Sequence, residues 1–130
     1  NITDRQIDAC AATGGVIGVN GIRLFLGTEN NFAEPMANHI DYMVQRVGSD
    51  HVGIGIDISF DLGIDDHPKN EDRAYWWPAS GRYNRTLVGG AGPEVLPEIE
   101  QILRKRGYGS SDIDKIFGLN FLRVAEQSWK

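Results

Sequence analysis

Cysteine occurs once in these 130 residues, at Cys10, so an internal disulfide framework is excluded and stability must come from packing. The thiol sits among Ala9, Ala11 and Ala12, the small-residue company of a packed helix face. Bases are in deficit: 13 Lys and Arg against 18 Asp and Glu give a formal net charge of −5. Apart from Arg104-Lys105-Arg106, which closes a helix where cations suit the dipole, they are scattered, and nucleic acid is not expected as a partner. No apolar run approaches the roughly 20 residues needed to span a bilayer, and no membrane-spanning segment is expected. Catalytic fingerprints are scarce too. There is no Gly-x-Ser-x-Gly, which removes the simplest serine-hydrolase chemistry. No Gly-Lys-Ser/Thr follows the glycines at 89–92, and Gly53-x-Gly55 has neither the third glycine nor the helix of a dinucleotide site.

What remains is an ordinary globular composition, 41% apolar and 24% charged, in a chain long enough to bury roughly two-thirds of its unfolded surface. Thr3 followed by Gln6 is a capping box, and it predicts a helix from Asp4 to Thr13 that stops at Gly14-Gly15. A strand, Val16 to Asn20, follows. Pro35 suits a first helical turn, and Met36, Ile40, Met43, Val44 and Val47 mark one face of a second helix that ends at Gly48. Beyond a long irregular segment to Gly92, Leu96, Ile99, Ile102 and Leu103 predict a helix to Arg106. Two short helices finish the chain, the first capped by Ser110 or Ser111 and the second by Asn120.

The segment Val52-Gly53-Ile54-Gly55-Ile56-Asp57 is continuously apolar rather than alternating, so both of its faces should be covered, as in a parallel sheet. Its glycines mark places where another backbone or group comes close. The run ends in a carboxylate, which puts Asp57 at the carboxyl end of a strand, where α/β folds gather ligands and catalytic groups. From pattern alone, a loop-capping role for Asp57 stands beside the catalytic one.

The connections are asymmetric. Those leaving the strands run about 10 and 35 residues, whereas those entering them need two or three. Long loops at carboxyl ends build sites in barrels, and short returns at the other end serve stability. The fold class expected is therefore α/β, the carboxyl-terminal part of a (β/α)8 barrel. About two parallel strands with their helices are present, plus carboxyl-terminal helices, because eight strands need some 250 residues.

Several clusters invite chemistry. Asp61, Asp65, Asp66, His67, Glu71 and Asp72 lack Ca²⁺-loop spacing and are interrupted by Pro68, which favours a solvated acidic loop. His39-x-Asp41 has the form of a metal-binding pair, but on a helix its side chains diverge by about 200°. His51 stands at a strand entrance, the stability end. Gly89-Gly90-Ala91-Gly92 reads as a flexible hinge before Pro93, with a phosphate cradle as the other possibility. Tyr75, Trp76, Trp77 and Tyr83 place aromatics in the long loop, either packing it down or walling a pocket.

Taken in order, five segments resemble the carboxyl-terminal part of the membrane (renal) dipeptidase family. They are Asn1-Ile2-Thr3-Asp4, Val16 to Asn20, His39-Ile40-Asp41-Tyr42, Val52 to Asp57 with Phe60-Asp61, and Gly118-Leu119-Asn120-Phe121-Leu122-Arg123-Val124. The resemblance implies a distorted (β/α)8 barrel with two zinc ions that hydrolyses dipeptides by a metal-bridging hydroxide. It implies that Asp57 is the catalytic acid of the last strand, beside the substrate amine, carrying a proton to the leaving group. Phe25 stands where some members have a tyrosine at the substrate, the Trp76-Trp77 loop is expected to be a lid or pocket wall, and Trp77 and Tyr83 are expected to contact the substrate together with Asp57 and Phe25.

The family's zinc ligands and its carboxylate-binding arginine would lie upstream of Asn1. The chain is thus expected to be one domain segment, residues 1–130, that binds no zinc alone, is inactive alone, and needs either the missing amino-terminal half or a second copy as partner. A non-catalytic module binding a peptide or partner through its aromatic loop, residues 75–83, is the alternative.

Overall fold

The computed structural model describes residues 2–28, 30–58, 75 and 89–129. Thr3 is extended and starts α1, Asp4–Ala12, and its N–H donates to Gln6 Oε1 at 2.8 Å. The expected capping box therefore forms and satisfies donors that a first turn leaves orphaned. The helix stops at Gly14, whose φ is +77°. Strand β1, Ile17–Asn20, follows. Next comes α2, Arg23–Leu26, a four-residue helix too short to leave a periodic signal in the sequence.

Helix α3, Ala33–Val47, buries Ala33, Met36, Ala37, Ile40 and Met43, the stripe that three- and four-residue spacing predicts. Val44 and Val47 pack at its rim, partly buried. A 3-10 turn, Ser49–His51, leads into β2, Val52–Gly55. The two strands pair in parallel with Ile17 opposite Val52 and Asn20 opposite Gly55. The parallel crossover expected from the short return is present. The ladder ends at Gly55 rather than Asp57 because Asp57 leaves extended geometry, with φ +62°. Two strands form an open sheet, so the described residues make an α/β unit and not a closed barrel.

After a 3-10 turn at Pro93–Val95, α4, Leu96–Lys105, buries Ile99 and Leu103. Helix α5, Ser110–Asp114, has Gly109 in the capping position, so Ser110 is its first residue and not its cap. A π-helical turn, Lys115–Leu119, kinks at Gly118 and joins α6, Asn120–Ser128. Among the described residues no helix is long and apolar enough to cross a membrane.

One face of the sheet contributes Val19 and Val52 to a core completed by Met36, Ile40, Ile99, Leu103, Ile113 and Ile116. Truncating a side chain as buried as Ile40 to alanine typically costs about 2–5 kcal/mol. The other face is made of glycine where the ring of Phe121 lies on it. A Cβ at Gly18 would stand 3.3 Å from Phe121 Cζ, and one at Gly53 would stand 3.0 Å from both Phe121 Cδ2 and Cζ and closer still to Cε2. The opposed glycines are thus a slot for an aromatic ring, but this face is only partly covered, since Gly18 is exposed and Phe121 is 40% exposed, so the full covering expected from the unbroken apolar run is found on the core face alone.

Asn120 does not cap α6. It is 2% exposed, and its Nδ2 donates to Ser49 O at 2.7 Å and Val52 O at 2.8 Å. The helix runs in from the π turn without an extended residue before it, so no capping geometry exists for the side chain to serve. Arg123 donates to Gly14 O and Asp50 O, each at 2.8 Å. His51 Nδ1 lies 2.9 Å from Gly15 O. The start of α6 thereby grips the entrances of both strands.

Candidate active site at the carboxyl ends of the strands

Asp57 lies two residues past β2, exposed, and is the one non-glycine residue with positive φ among those described. A left-handed conformation costs an ordinary residue about 1–2 kcal/mol, less for aspartate, whose short polar chain can bond locally. Such a conformation persists where surrounding contacts hold it, and it is commonest at functional positions. The contact here comes from the neighbouring strand. Asn20, the last residue of β1, donates from Nδ2 to Asp57 Oδ2 at 2.9 Å, while its Oδ1 accepts the Ile22 N–H at 2.6 Å. Between these bonds Gly21 N donates to Ile56 O at 3.0 Å, so the strand ends stay in register as far as the carboxylate.

The glycine-rich segment closes the same end. Ile22 and Gly90 form an antiparallel bridge, with Arg23 N donating to Gly89 O and Ala91 N to Gly21 O, each at 2.9 Å. A Cβ on Gly90 would stand 3.0 Å from both Gly21 C and Ile22 Cα and would run into the Gly21 carbonyl oxygen. These residues are therefore a fixed backbone bridge, which corrects the expectation of a flexible hinge. The amide of Ala91 is already committed and cannot cradle a phosphate.

Of the four residues assigned to the site from sequence, Asp57 and Phe25 are described, on the segments leaving β2 and β1. Phe25 sits on α2 with its side chain 42% exposed. Trp77 and Tyr83 lie outside the described residues, as do Trp76 and the acids at 61–72. Tyr75 is exposed. Asn20 was not singled out by sequence. Its signal was available, a polar side chain ending an apolar strand next in space to the strand of Asp57, but the pairing of the two needs the register.

Elsewhere the titratable groups serve structure. Asp41 accepts the Tyr108 hydroxyl at 2.6 Å, and burial, reinforced by that carboxylate, raises the Tyr108 phenol far above its usual range. His39, two residues from Asp41, points into solvent. Asp8 is held below the usual carboxylate range by its hydrogen bond from Arg46, and Asp50 by its bond from Lys115. Among the described residues no three His, Cys, Asp or Glu side chains converge to hold a metal ion.

Comparison with known proteins matches residues 1–75 to the membrane dipeptidase family (peptidase family M19). The chain is 32% identical over 136 residues to an uncharacterized protein in the pqqA 5′ region of Klebsiella pneumoniae, spanning 100% of this chain and 41% of that protein. It is 29% identical over 134 residues to the dipeptidase ataJ of Aspergillus terreus, 98% of this chain and 26% of that one. Among solved structures, a metallopeptidase from Rhodobacter sphaeroides, liganded with a phosphinate mimic of the dipeptide L-Ala-D-Ala, superposes with a TM-score of 0.68 at 26% identity. That match covers 99% of this chain and 32% of that structure. The chain thus spans less than half the length of the curated relatives it matches.

Proposed function

The chain belongs to the membrane dipeptidase family, peptidase family M19, and from that premise we propose that it is the carboxyl-terminal part of a zinc-dependent dipeptidase built as a (β/α)8 barrel. The relative named a dipeptidase and the metallopeptidase holding a dipeptide mimic support the reaction class. On this chain the reading is carried by Asp57, a carboxylate just past a parallel strand, in left-handed backbone and bonded to Asn20.

Breaking a peptide bond requires a proton for the departing amine. A carboxylate that takes the proton from the attacking water and hands it on is worth typically 10²–10⁴ in rate. Asp57 is the group we assign to that transfer, and its charge also suits the free α-amino group that distinguishes a dipeptide from an internal peptide bond. Phe25 is assigned to the wall beside the substrate. The described residues do not fit a zinc site, so the zinc ligands are assigned to other parts of the full-length protein. Dipeptidase activity is accordingly a property of that longer protein. Nothing in the comparisons favours a non-catalytic binding module.

The test is kinetic. In the full-length enzyme Asp57→Asn is expected to lower kcat at least tenfold with zinc content unchanged, and an unaltered kcat rejects the proton-transfer role. Metal analysis of the 130-residue chain checks the ligand assignment: tightly bound stoichiometric zinc would overturn it.

A further inference from the structure

We propose that Asn20 is the positioning residue for Asp57, a single amide that sets the direction of the carboxylate from the neighbouring strand; this rests on the role assigned to Asp57 above. The geometry leaves the amide one orientation. Ile22 N–H can only donate, and it meets Oδ1 at 2.6 Å. An ionised carboxylate can only accept, and it meets Nδ2 at 2.9 Å. Rotating the amide by half a turn would set donor against donor at one end and acceptor against acceptor at the other, so both bonds would be lost together.

The surroundings make the clamp stiff. Asn20 is the last residue of β1 and pairs in register with Gly55, so no side chain stands directly opposite it to block its reach to Asp57. Its backbone is held on the next residue by Gly21 N to Ile56 O at 3.0 Å and by Ala91 N to Gly21 O at 2.9 Å. Asp57, by contrast, is exposed and has left the strand geometry with φ +62°. Its own chain therefore does not fix the carboxylate as a strand residue's would be fixed. Asp57 Oδ2 has the Asn20 amide as its partner. One carboxylate oxygen is thus tied to the scaffold through the neighbouring strand. A proton carrier works only from a defined position, and an error near 1 Å can cost a hundredfold. Asparagine is the residue type that meets both demands, since aspartate lacks the donor and alanine lacks both groups.

Asn20→Asp in the full-length enzyme separates the two functions of the side chain. It keeps the acceptor for Ile22 N–H and replaces the donor facing Asp57 by a repelling charge. We expect kcat to fall about tenfold or more with KM changed less than about threefold, and zinc content and thermal midpoint close to wild type. In an Asp57→Asn background the same substitution should cause no further loss, because Asn20 acts only through Asp57. Equal losses in both backgrounds, or a wild-type kcat for Asn20→Asp, overturn the positioning role while leaving Asp57 in place. Failure of the broader assignment looks different: Asp57→Asn itself is then without effect.

A spectroscopic measurement needs no Asn20 variant. The side-chain amide resonance of Asn20 should move in metal-free Asp57→Asn protein relative to metal-free wild type. An unmoved resonance denies the contact and with it the proposal.

Discussion

The two ends of the same pair of strands are built on opposite plans. At the amino ends, polar side chains from α6 are spent on backbone carbonyls. Asn120 bonds Ser49 and Val52, Arg123 bonds Gly14 and Asp50, and the Phe121 ring fills the slot over Gly18 and Gly53. At the carboxyl ends the side chains bond each other across the ladder, Asn20 to Asp57, and the carboxylate is exposed. One end converts polar groups into stability by satisfying backbone acceptors, of which the buried Val52 carbonyl would cost about 1–3 kcal/mol if left unpaired. The other keeps a charge near water in a left-handed backbone that only its neighbours justify. The difference teaches that the stabilising contacts and the proposed site lie at opposite ends of the strands, so each can be perturbed alone.

The sharpest way to break this contrast is Asn120→Ala. It strands a buried carbonyl at Val52 and a part-buried one at Ser49, and we expect a loss of about 2–4 kcal/mol in urea unfolding; less than about 1 kcal/mol would mean that α6 is no clamp. Gly53→Ala should follow at about 1–3 kcal/mol, since its methyl meets the Phe121 ring, and shortening Phe121 to leucine in the same protein should restore part of the loss. At the opposite end, Asp57→Asn at an exposed site should change stability by less than about 1 kcal/mol, and Asn20→Asp, which keeps the acceptor for Ile22 N–H, should cost less than Asn120→Ala, while both lower kcat. Equal destabilisation at both ends would erase the distinction.

The smallest effect concerns acid. Asp50 is depressed by its hydrogen bond from Lys115, and Asp8 by its bond from Arg46. A depressed carboxyl contributes stability that is fully present above its unfolded pKa, near 3.9, and is lost as pH falls through the lower folded value. Lys115→Gln should therefore flatten the loss of stability below about pH 4. Both pairs are solvent-exposed and screened, so the change should be visible only at low ionic strength.

Much of the framework could be foreseen from residues close together in the chain. The capping box at Thr3 and Gln6, the stop at Gly14 and the inward stripe from Met36 to Met43 are patterns within one or two helical turns, and each formed. The unalternating run after Val52 announced a parallel strand, although the glycine face is only partly covered, and its first charge announced Asp57 as an end-of-strand carboxylate. Local rules also misled. They made Asn120 a helix cap and the glycines at 89–92 a hinge, because a polar residue before a helix and a cluster of glycines have those uses in isolation.

What local pattern could not contain were the partners. Asn20 meets Asp57 across 37 positions, and Asn120 meets Ser49 and Val52 across 71 and 68. Such pairings follow from strand register and from where α6 docks on the sheet. Helix periodicity, caps and strand type are decided by neighbours a few residues away and so are written in the chain. Which carboxylate oxygen is held, which glycines admit a ring and which end of the strands is left open to chemistry depend on surfaces that exist only after the elements have packed.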